Sequence, residues 1–369
     1  MKRVLNIAVD ASVLAHPNNG IGRYATSLLR EFALQQSPHR IFLYSDRPFE
    51  LGYPLPENWK VRSGASDSGR ASAAYLRFVF PLWALRDRVD VFWSPSGYIP
   101  VLLPPHIRTL LTVHDLVWKR FPETMEGRDG AVKPPSMPLS LRIANRLIAD
   151  SHFTRSEILT VLPKTRRKID VVYLASSLRA DKPILPNPLS SPYFLFVGSY
   201  EPRKNLQRLL QAYLQYRKVN QSPFDLVIAG SDQWGTFSVS DFIQRNDLQS
   251  CVRLFQHVDD GVLSALYAHA RALVLVSLYE GFGLPLVEAM QWGVPLIASN
   301  NSAVAEIAGN AALLVDPLNV GDITQALNQM TDDQATREKL SHYSRIRGQQ
   351  FSWKEAASNI MNLMIEGLA

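Results

Sequence analysis

An unbroken apolar run, Ala272-Leu273-Val274-Leu275-Val276, leads through Ser277-Leu278-Tyr279 into Glu280-Gly281-Phe282-Gly283-Leu284-Pro285-Leu286-Val287-Glu288. With no polar alternation, the run must be covered on both faces, which is the pattern of a strand inside a parallel sheet. Parallel neighbours need long crossover connections, usually helices, so this stretch constrains the chain to an α/β architecture. Gly281 and Gly283 free the backbone to turn or to approach a ligand closely, and Pro285 suits the first turn of a helix. The first N–H groups of that helix have no intrahelical partner, and with the helix dipole they attract anions such as phosphate. Glu280 then stands at the carboxyl end of a strand and Glu288 about a turn into the helix. The plainer alternative for Glu288 is a surface charge complementing the helix end.

The same alternation extends along the chain. Strands are expected near residues 4–9, 40–44, 89–93, 108–113, 146–150 and 169–173, then at 193–198, 224–229, 252–255, 294–298 and 311–315. Between the two sets, residues 179–192 hold four prolines and no periodicity, as a linker would. A chain of 369 residues exceeds one typical core. The expected division is therefore a first domain at 1–178, the linker 179–192, a second domain at 193–350, and a closing helical segment at 351–369. A Pro- and Gly-rich stretch before residue 70 and another at 121–138 read as loops.

The formal charge of +6 and pI near 9.3 favour an anionic partner: a phosphate-bearing substrate, an anionic membrane surface or nucleic acid. No Lys/Arg block is long enough to demand nucleic acid. Cys251 is the only cysteine, which excludes an intramolecular disulfide and fits a reducing compartment. The N-terminus reads as a strand rather than a signal peptide, and no apolar stretch approaches the ~20 residues that span a bilayer. A cytoplasmic protein, soluble or peripheral, is expected. Between Arg70 and Arg88, arginines alternate with Phe78, Phe80, Leu82, Trp83 and Leu85. Such a segment can lie on an anionic membrane or pack into the core with its arginines snorkelling; Pro81 should interrupt a long amphipathic face, which favours the core.

Three further places carry chemistry. Gly20-Ile21-Gly22-Arg23-Tyr24-Ala25 has the spacing of a dinucleotide fingerprint, but about ten residues separate it from its strand. His114-Asp115 ends a strand, where open α/β sheets place ligands. Gly198-Ser-Tyr200-Glu-Pro202-Arg203-Lys204-Asn205 brings two cations to a strand-to-helix turn. Arg203 can clamp a pyrophosphate through its fork, Lys204 adds a point charge, and Asn205 is expected to cap the following helix.

Together these motifs resemble the large retaining, nucleotide-sugar-dependent glycosyltransferase family with two facing Rossmann-like domains and a cleft between them, the glycosyltransferase B fold. Among its members, the bacterial mannosyltransferases of polysaccharide synthesis are the nearest in pattern. The resemblance implies that Glu280 contacts the donor sugar, that Gly281, Phe282, Gly283 and Leu284 offer backbone N–H groups to its phosphates, and that Glu288 holds the ribose. It places Gly20 and Gly22 over the donor diphosphate, His114 beside the sugar, and Gly198, Arg203 and Lys204 at the leaving diphosphate. Val258 would bracket the base, while Arg23 and Asp115 fall on the acceptor side. The catalytic set is then Glu280, His114, Arg203 and Lys204, and the closing helix would pack back on the first domain. Leu174-Ala175-Ser176-Ser177 stands where family members commonly have Pro-Asn-Gly, a departure in a loop near the substrates.

The reaction implied is hexose transfer, with mannose from GDP-mannose first, to a saccharide or lipid-linked saccharide acceptor. The chain contains no Asp-x-Asp pair and no His/Cys cluster with metal spacing, so neither a metal nor another cofactor is expected. Two other readings stay open. An NAD-dependent oxidoreductase would use Gly20, Gly22, Ala25 and Asp46, although its Tyr200-x-x-x-Lys204 contains Pro202 and does not suit a catalytic helix. A non-catalytic sugar-nucleotide-binding protein would keep the fold and lose the reaction.

Overall fold

The computed structural model describes residues 3–17, 19–65, 69–121, 136–163, 169–178, 183–231 and 237–368. Most of the loop expected at 121–138, the first residues of the expected linker and the side chain of Arg70 lie outside the described residues. The chain divides into two compact units, one of residues 1–174 with 352–369 and one of residues 175–351.

Among the described residues, the first unit holds seven parallel strands: β1 (Asn6–Asp10), β2 (Arg40–Ser45), β3 (Trp59–Ser63), β4 (Val91–Ser94), β5 (Arg108–Val113), β6 (Arg146–Ala149) and β7 (Ile169–Val171). Their order is β3-β2-β1-β4-β5-β6-β7, with Ile7 of the buried β1 paired to both Ile41 and Val91. The edge strand β3 falls inside the stretch expected to be a loop. Its pattern explains the difference: Trp59 is buried, but the residues after it are half-buried or exposed, so there is little apolar signal to read.

Among its described residues, the second unit holds six parallel strands: β8 (Tyr193–Val197), β9 (Asp225–Ala229), β10 (Val252–Phe255), β11 (Ala272–Leu275), β12 (Leu296–Ser299) and β13 (Ala312–Val315), in the order β10-β9-β8-β11-β12-β13. Its core packs Phe194, Phe196, Tyr213 and Tyr216 against Val274 and Ile297. In each sheet the sequence order reverses once, between β1 and β4 and between β8 and β11. Open parallel sheets bind ligands outside the carboxyl ends of the strands at such a switch.

Three local expectations change. The sequence suggests a loop at 16–22 and a helix from Arg23, but the helix spans Gly20–Leu34, so Gly20 and Gly22 lie in its first turn with Arg23. Asn19 caps it by accepting from the Gly22 N–H at 2.7 Å, and a Cβ on Gly22 would stand 2.2 Å from the His16 carbonyl oxygen. That close approach is what requires a glycine there. Pro81 does not break its segment: Gly69–Ala74, a π-helical turn Tyr75–Val79 and Phe80–Arg86 follow one another without interruption. The π turn sends the Phe80 N–H to the Tyr75 carbonyl, so the wider turn absorbs the proline just after it.

Most of the large apolar residues of this segment serve the core, as expected: Tyr75, Leu76 and Trp83 pack against the cluster that holds Phe80 and Ala84. Phe80 and Ala84 are buried, whereas Phe78, Leu82 and Leu85 are exposed at 51, 64 and 55 %. Asn205 begins the helix Leu206–Val219 in the left-handed conformation and its side chain makes no capping bond. Instead its Nδ2 donates to the Val276 carbonyl at 3.0 Å and the Pro317 carbonyl at 2.7 Å, tying the turn to the end of β11.

The last helix, Trp353–Ile365, is capped by Ser352 and belongs to the first unit. Trp353 meets Tyr24 edge-on at 6.0 Å, and Gln35 donates to the Lys354 carbonyl at 3.2 Å. Among the described residues, no helix is long and apolar enough to cross a membrane.

Candidate active site

In the second unit the polar residues gather at the switch between β8 and β11. A short turn, Pro202–Lys204, follows β8 and brings its cations to Glu280, which follows β11. Lys204 Nζ lies 2.5 Å from Glu280 Oε1, and Arg203 Nη1 lies 2.7 Å from Glu280 Oε2. Ser277 donates to Glu280 Oε1 at 2.8 Å, while Arg203 Nη2 also pairs with Glu201 at 2.6 Å. The Leu278 N–H donates to the Arg203 carbonyl at 2.7 Å, so the two loops are joined through the backbone as well.

The basic turn is therefore not a solvated one: Lys204 and Glu280 are only 8 % and 6 % exposed. Burial alone would raise the Glu280 pKa, but the adjacent Lys204 and Arg203 outweigh it and hold the carboxyl at about 2. The result is a carboxylate kept ionised, with two cations beside it, at the place where the sheet topology puts a ligand.

The glycine turn works through one of its two glycines. Gly283 takes φ of 100° and precedes the helix Leu284–Gln291, in which Pro285 occupies the first turn; Gly281 takes no positive φ. Phe282 is buried, with its ring edge-on to Phe351 at 5.9 Å. Glu288 is not a surface charge. It is 6 % exposed and accepts from the Tyr267 hydroxyl at 2.7 Å, while the Tyr267 ring stacks on Trp292 at 5.9 Å.

Gly198 follows β8, and its carbonyl oxygen would lie 1.9 Å from a Cβ on Gly230. These two strand ends approach too closely for a side chain at 230. Val258 is half-buried in the loop before the helix Asp260–His269, which Asp259 caps.

In the first unit, the switch between β1 and β4 is spanned by Asp10, which accepts from Ser96 at 2.7 Å and from the Ser12 N–H at 3.1 Å. Burial raises the Asp10 pKa against the pull of those bonds. Beside it, His114 Nδ1 lies 2.6 Å from Asp150 Oδ2 and Nε2 lies 2.8 Å from the Pro95 carbonyl oxygen. The Tyr24 ring meets His114 edge-on at 4.8 Å, and its hydroxyl is 3.0 Å from Thr112 Oγ1. Asp115, next in the chain, accepts from the Val117 N–H at 3.0 Å and shapes the loop.

Sequence reasoning placed His114 here but not Asp10, Asp150 or Tyr24. A signal was available: Val113 pairs with Ala149 across parallel strands, so the next residues, His114 and Asp150, come side by side. The dinucleotide reading does not survive. Asp46, which that reading would use, is buried and engaged by Arg47 at 3.0 Å and by Ser72.

Two family profiles cover consecutive parts of the chain. Residues 18–176 match Glycosyltransferase Family 4 and residues 179–347 match Glycosyl transferases group 1. The O-antigen chain mannosyltransferase B of Escherichia coli is 32% identical over 381 residues, covering 97% of this chain and 99% of that protein. An O-antigen chain mannosyltransferase of Salmonella typhimurium is 27% identical, with coverage of 84% and 86%. Among solved structures, a glycosyltransferase involved in lipopolysaccharide biosynthesis matches with a TM-score of 0.74 at 14% identity, over 98% of this chain and 100% of that one. An Anabaena protein in complex with UDP and glucose matches with a TM-score of 0.74 at 15% identity, over 99% and 100%.

Two Rossmann-like units, with a glutamate on either side of the glycine turn in the second, define a glycosyltransferase of the B fold. The chain belongs to the group 1 glycosyltransferases, its first half being of the family 4 type.

Proposed function

We propose that this glycosyltransferase moves mannose from GDP-mannose, with retention of configuration, to a saccharide or lipid-linked saccharide during cell-surface polysaccharide synthesis. The sugar and the setting are supported by the O-antigen mannosyltransferases to which the chain is similar over nearly its whole length. The observation that carries the site is the ionised Glu280 held by Arg203 and Lys204.

In this reading Glu280 accepts hydrogen bonds from hydroxyls of the donor sugar, and Glu288, oriented by Tyr267, holds the ribose. Negative charge grows on the diphosphate as it leaves. Arg203, Lys204 and the positive end of the dipole of helix Leu284–Gln291 meet that charge, so stabilisation is greatest in the transition state. The leaving phosphate takes the acceptor proton, and neither a protein nucleophile nor a divalent metal is required. Gly20, Gly22 and Arg23, in the first turn of their helix, would face the donor diphosphate and the acceptor.

Peripheral association with the inner face of the cell membrane belongs to the same reading. Phe78, Leu82 and Leu85 recur at helical spacing on the exposed face of their segment, with Arg77 and Arg86 also exposed.

The test is product analysis with purified protein, GDP-mannose and a mannose-terminated acceptor, with and without EDTA. An α-mannoside and released GDP, undiminished by EDTA, are expected. A β-linked product would overturn retention, activity lost in EDTA and restored by manganese would overturn metal independence, and release only from another sugar nucleotide would overturn the donor.

A further inference from the structure

The least ordinary polar group outside the Glu280 cluster is the pair His114–Asp150. Asp150 is 1 % exposed, and among the described residues its Oδ1 is buried without a hydrogen-bond partner. The carboxylate thus has a single counterpart, the His114 ring, at 2.6 Å. A buried carboxylate with one oxygen bare is costly unless a proton is shared with it.

The other side of the ring settles where the second proton is. Nε2 faces the Pro95 carbonyl oxygen at 2.8 Å, and a carbonyl oxygen can only accept, so Nε2 carries a hydrogen. A further proton lies between Nδ1 and Asp150 Oδ2. Whether it rests on nitrogen or oxygen, the pair is net neutral and both ring nitrogens are occupied. Tyr24 packs edge-on against the ring and Thr154 Oγ1 donates to the His114 carbonyl at 3.3 Å, so the residue is held on its remaining sides.

We propose that Asp150 is the positioning residue of His114: it locks the ring between two acceptors so that His114 exchanges no proton during glycosyl transfer. This rests on the glycosyltransferase reading for its consequence and on the geometry alone for the state of the ring. Within that reading, His114 acts through a fixed orientation at the end of β5 rather than as an acid or a base. The charged and titratable groups facing the pair are Asp115 and Tyr24. Asp115 favours the protonated ring as Asp150 does, and Tyr24, buried, stays neutral.

Two readouts test it. In full-length protein carrying 15N-labelled histidine, the His114 ring nitrogens are followed from about pH 5.5 to about pH 8.5, across the range in which an unperturbed histidine near 6.5 titrates. Both nitrogens are expected to keep their protons through neutral pH. Titration near the unperturbed value would overturn the proposal without reference to any activity.

Asp150→Asn removes the negative partner, so its His114 is expected to lose the second proton at least about one pH unit lower than in wild type. An unchanged titration in that variant would also overturn the proposal. The second readout is the pH profile of turnover. In wild type, kcat is expected to show no limb near the unperturbed histidine value; in Asp150→Asn, kcat is expected to fall, with a new limb following the His114 titration, while the donor KM changes by less than about threefold. A wild-type limb near the unperturbed value would mean that His114 trades a proton in the reaction. Should Asp150→Asn not fold, the wild-type titration still decides. Should the protein transfer no sugar at all, the function is refuted while the ring titration stands as its own result.

Discussion

Glu280 and Lys204 are each worth more together than apart. Both are nearly excluded from water, and removing one partner of such a pair strands the other as a buried charge, at a cost of about 3 kcal/mol or more. Lys204→Ala is therefore expected to lower the melting temperature as well as turnover, and differential scanning calorimetry of the variant checks the first effect independently of the second. The pair also sets an acid limit. Because the folded Glu280 pKa lies below its unfolded value, its contribution is complete above about 4.3 and is lost as the pH falls toward about 2. Denaturant midpoints measured down that range should fall in wild type and fall less in Glu280→Gln.

His114 works in the opposite sense. Burial disfavours its charged form, yet Asp150 and the Pro95 carbonyl outweigh burial and raise its pKa, so its contribution is full below about 6.5 and is lost as the pH rises through the folded value. At Glu288, Tyr267→Phe removes a hydrogen bond to a buried carboxylate, about 1.5 kcal/mol. Nucleoside diphosphate binding measured by calorimetry is expected to weaken by about tenfold, with maximal rate little changed.

At the scale of elements, what the sequence made plain and what it hid differ by mechanism. The strands β8, β11 and β12, the glycine turn and the helix after it were readable, because burial on both faces and the Gly–Pro pair leave direct traces in residue type. The edge strand β3 was not, since only Trp59 of its residues is buried. Pro81 read as a break because a π turn has no compositional signature. Asn205 read as a cap because its local sequence suits one; its side-chain bonds go to residues 71 and 112 positions away, which no local window contains.

The segment Phe80–Arg86 and the π turn before it leave Phe78, Leu82 and Leu85 facing outward. Replacing all three by serine is expected to abolish co-sedimentation with liposomes rich in anionic lipid at low salt while leaving turnover on a water-soluble acceptor within about twofold. Equal sedimentation of variant and wild type would refute the membrane role. Gly22→Ala would drive a Cβ into the His16 carbonyl, so a loss of stability of about 2 kcal/mol or more is expected, readable as a lower denaturant midpoint.

Over the whole molecule, both units follow one rule: the polar residues gather where the strand order reverses, Asp10 and Ser96 in the first sheet, Lys204 and Glu280 in the second. The glutamate pair and the two cations of the site could be read from their motif. Their mutual engagement could not, because it depends on β8 and β11 being neighbours although Lys204 and Glu280 lie 76 residues apart. The same holds for Asp150, which becomes a partner of His114 only when β5 and β6 lie side by side.

The most direct measurement is calorimetric titration of GDP into wild type, Glu280→Gln and Glu288→Gln. If Glu280 serves the sugar and Glu288 the ribose, Glu288→Gln weakens GDP binding by about tenfold or more, whereas Glu280→Gln binds GDP at least as tightly as wild type, because Arg203 and Lys204 lose a competing anion. Weak binding in Glu280→Gln together with intact binding in Glu288→Gln would contradict the assignment of both glutamates.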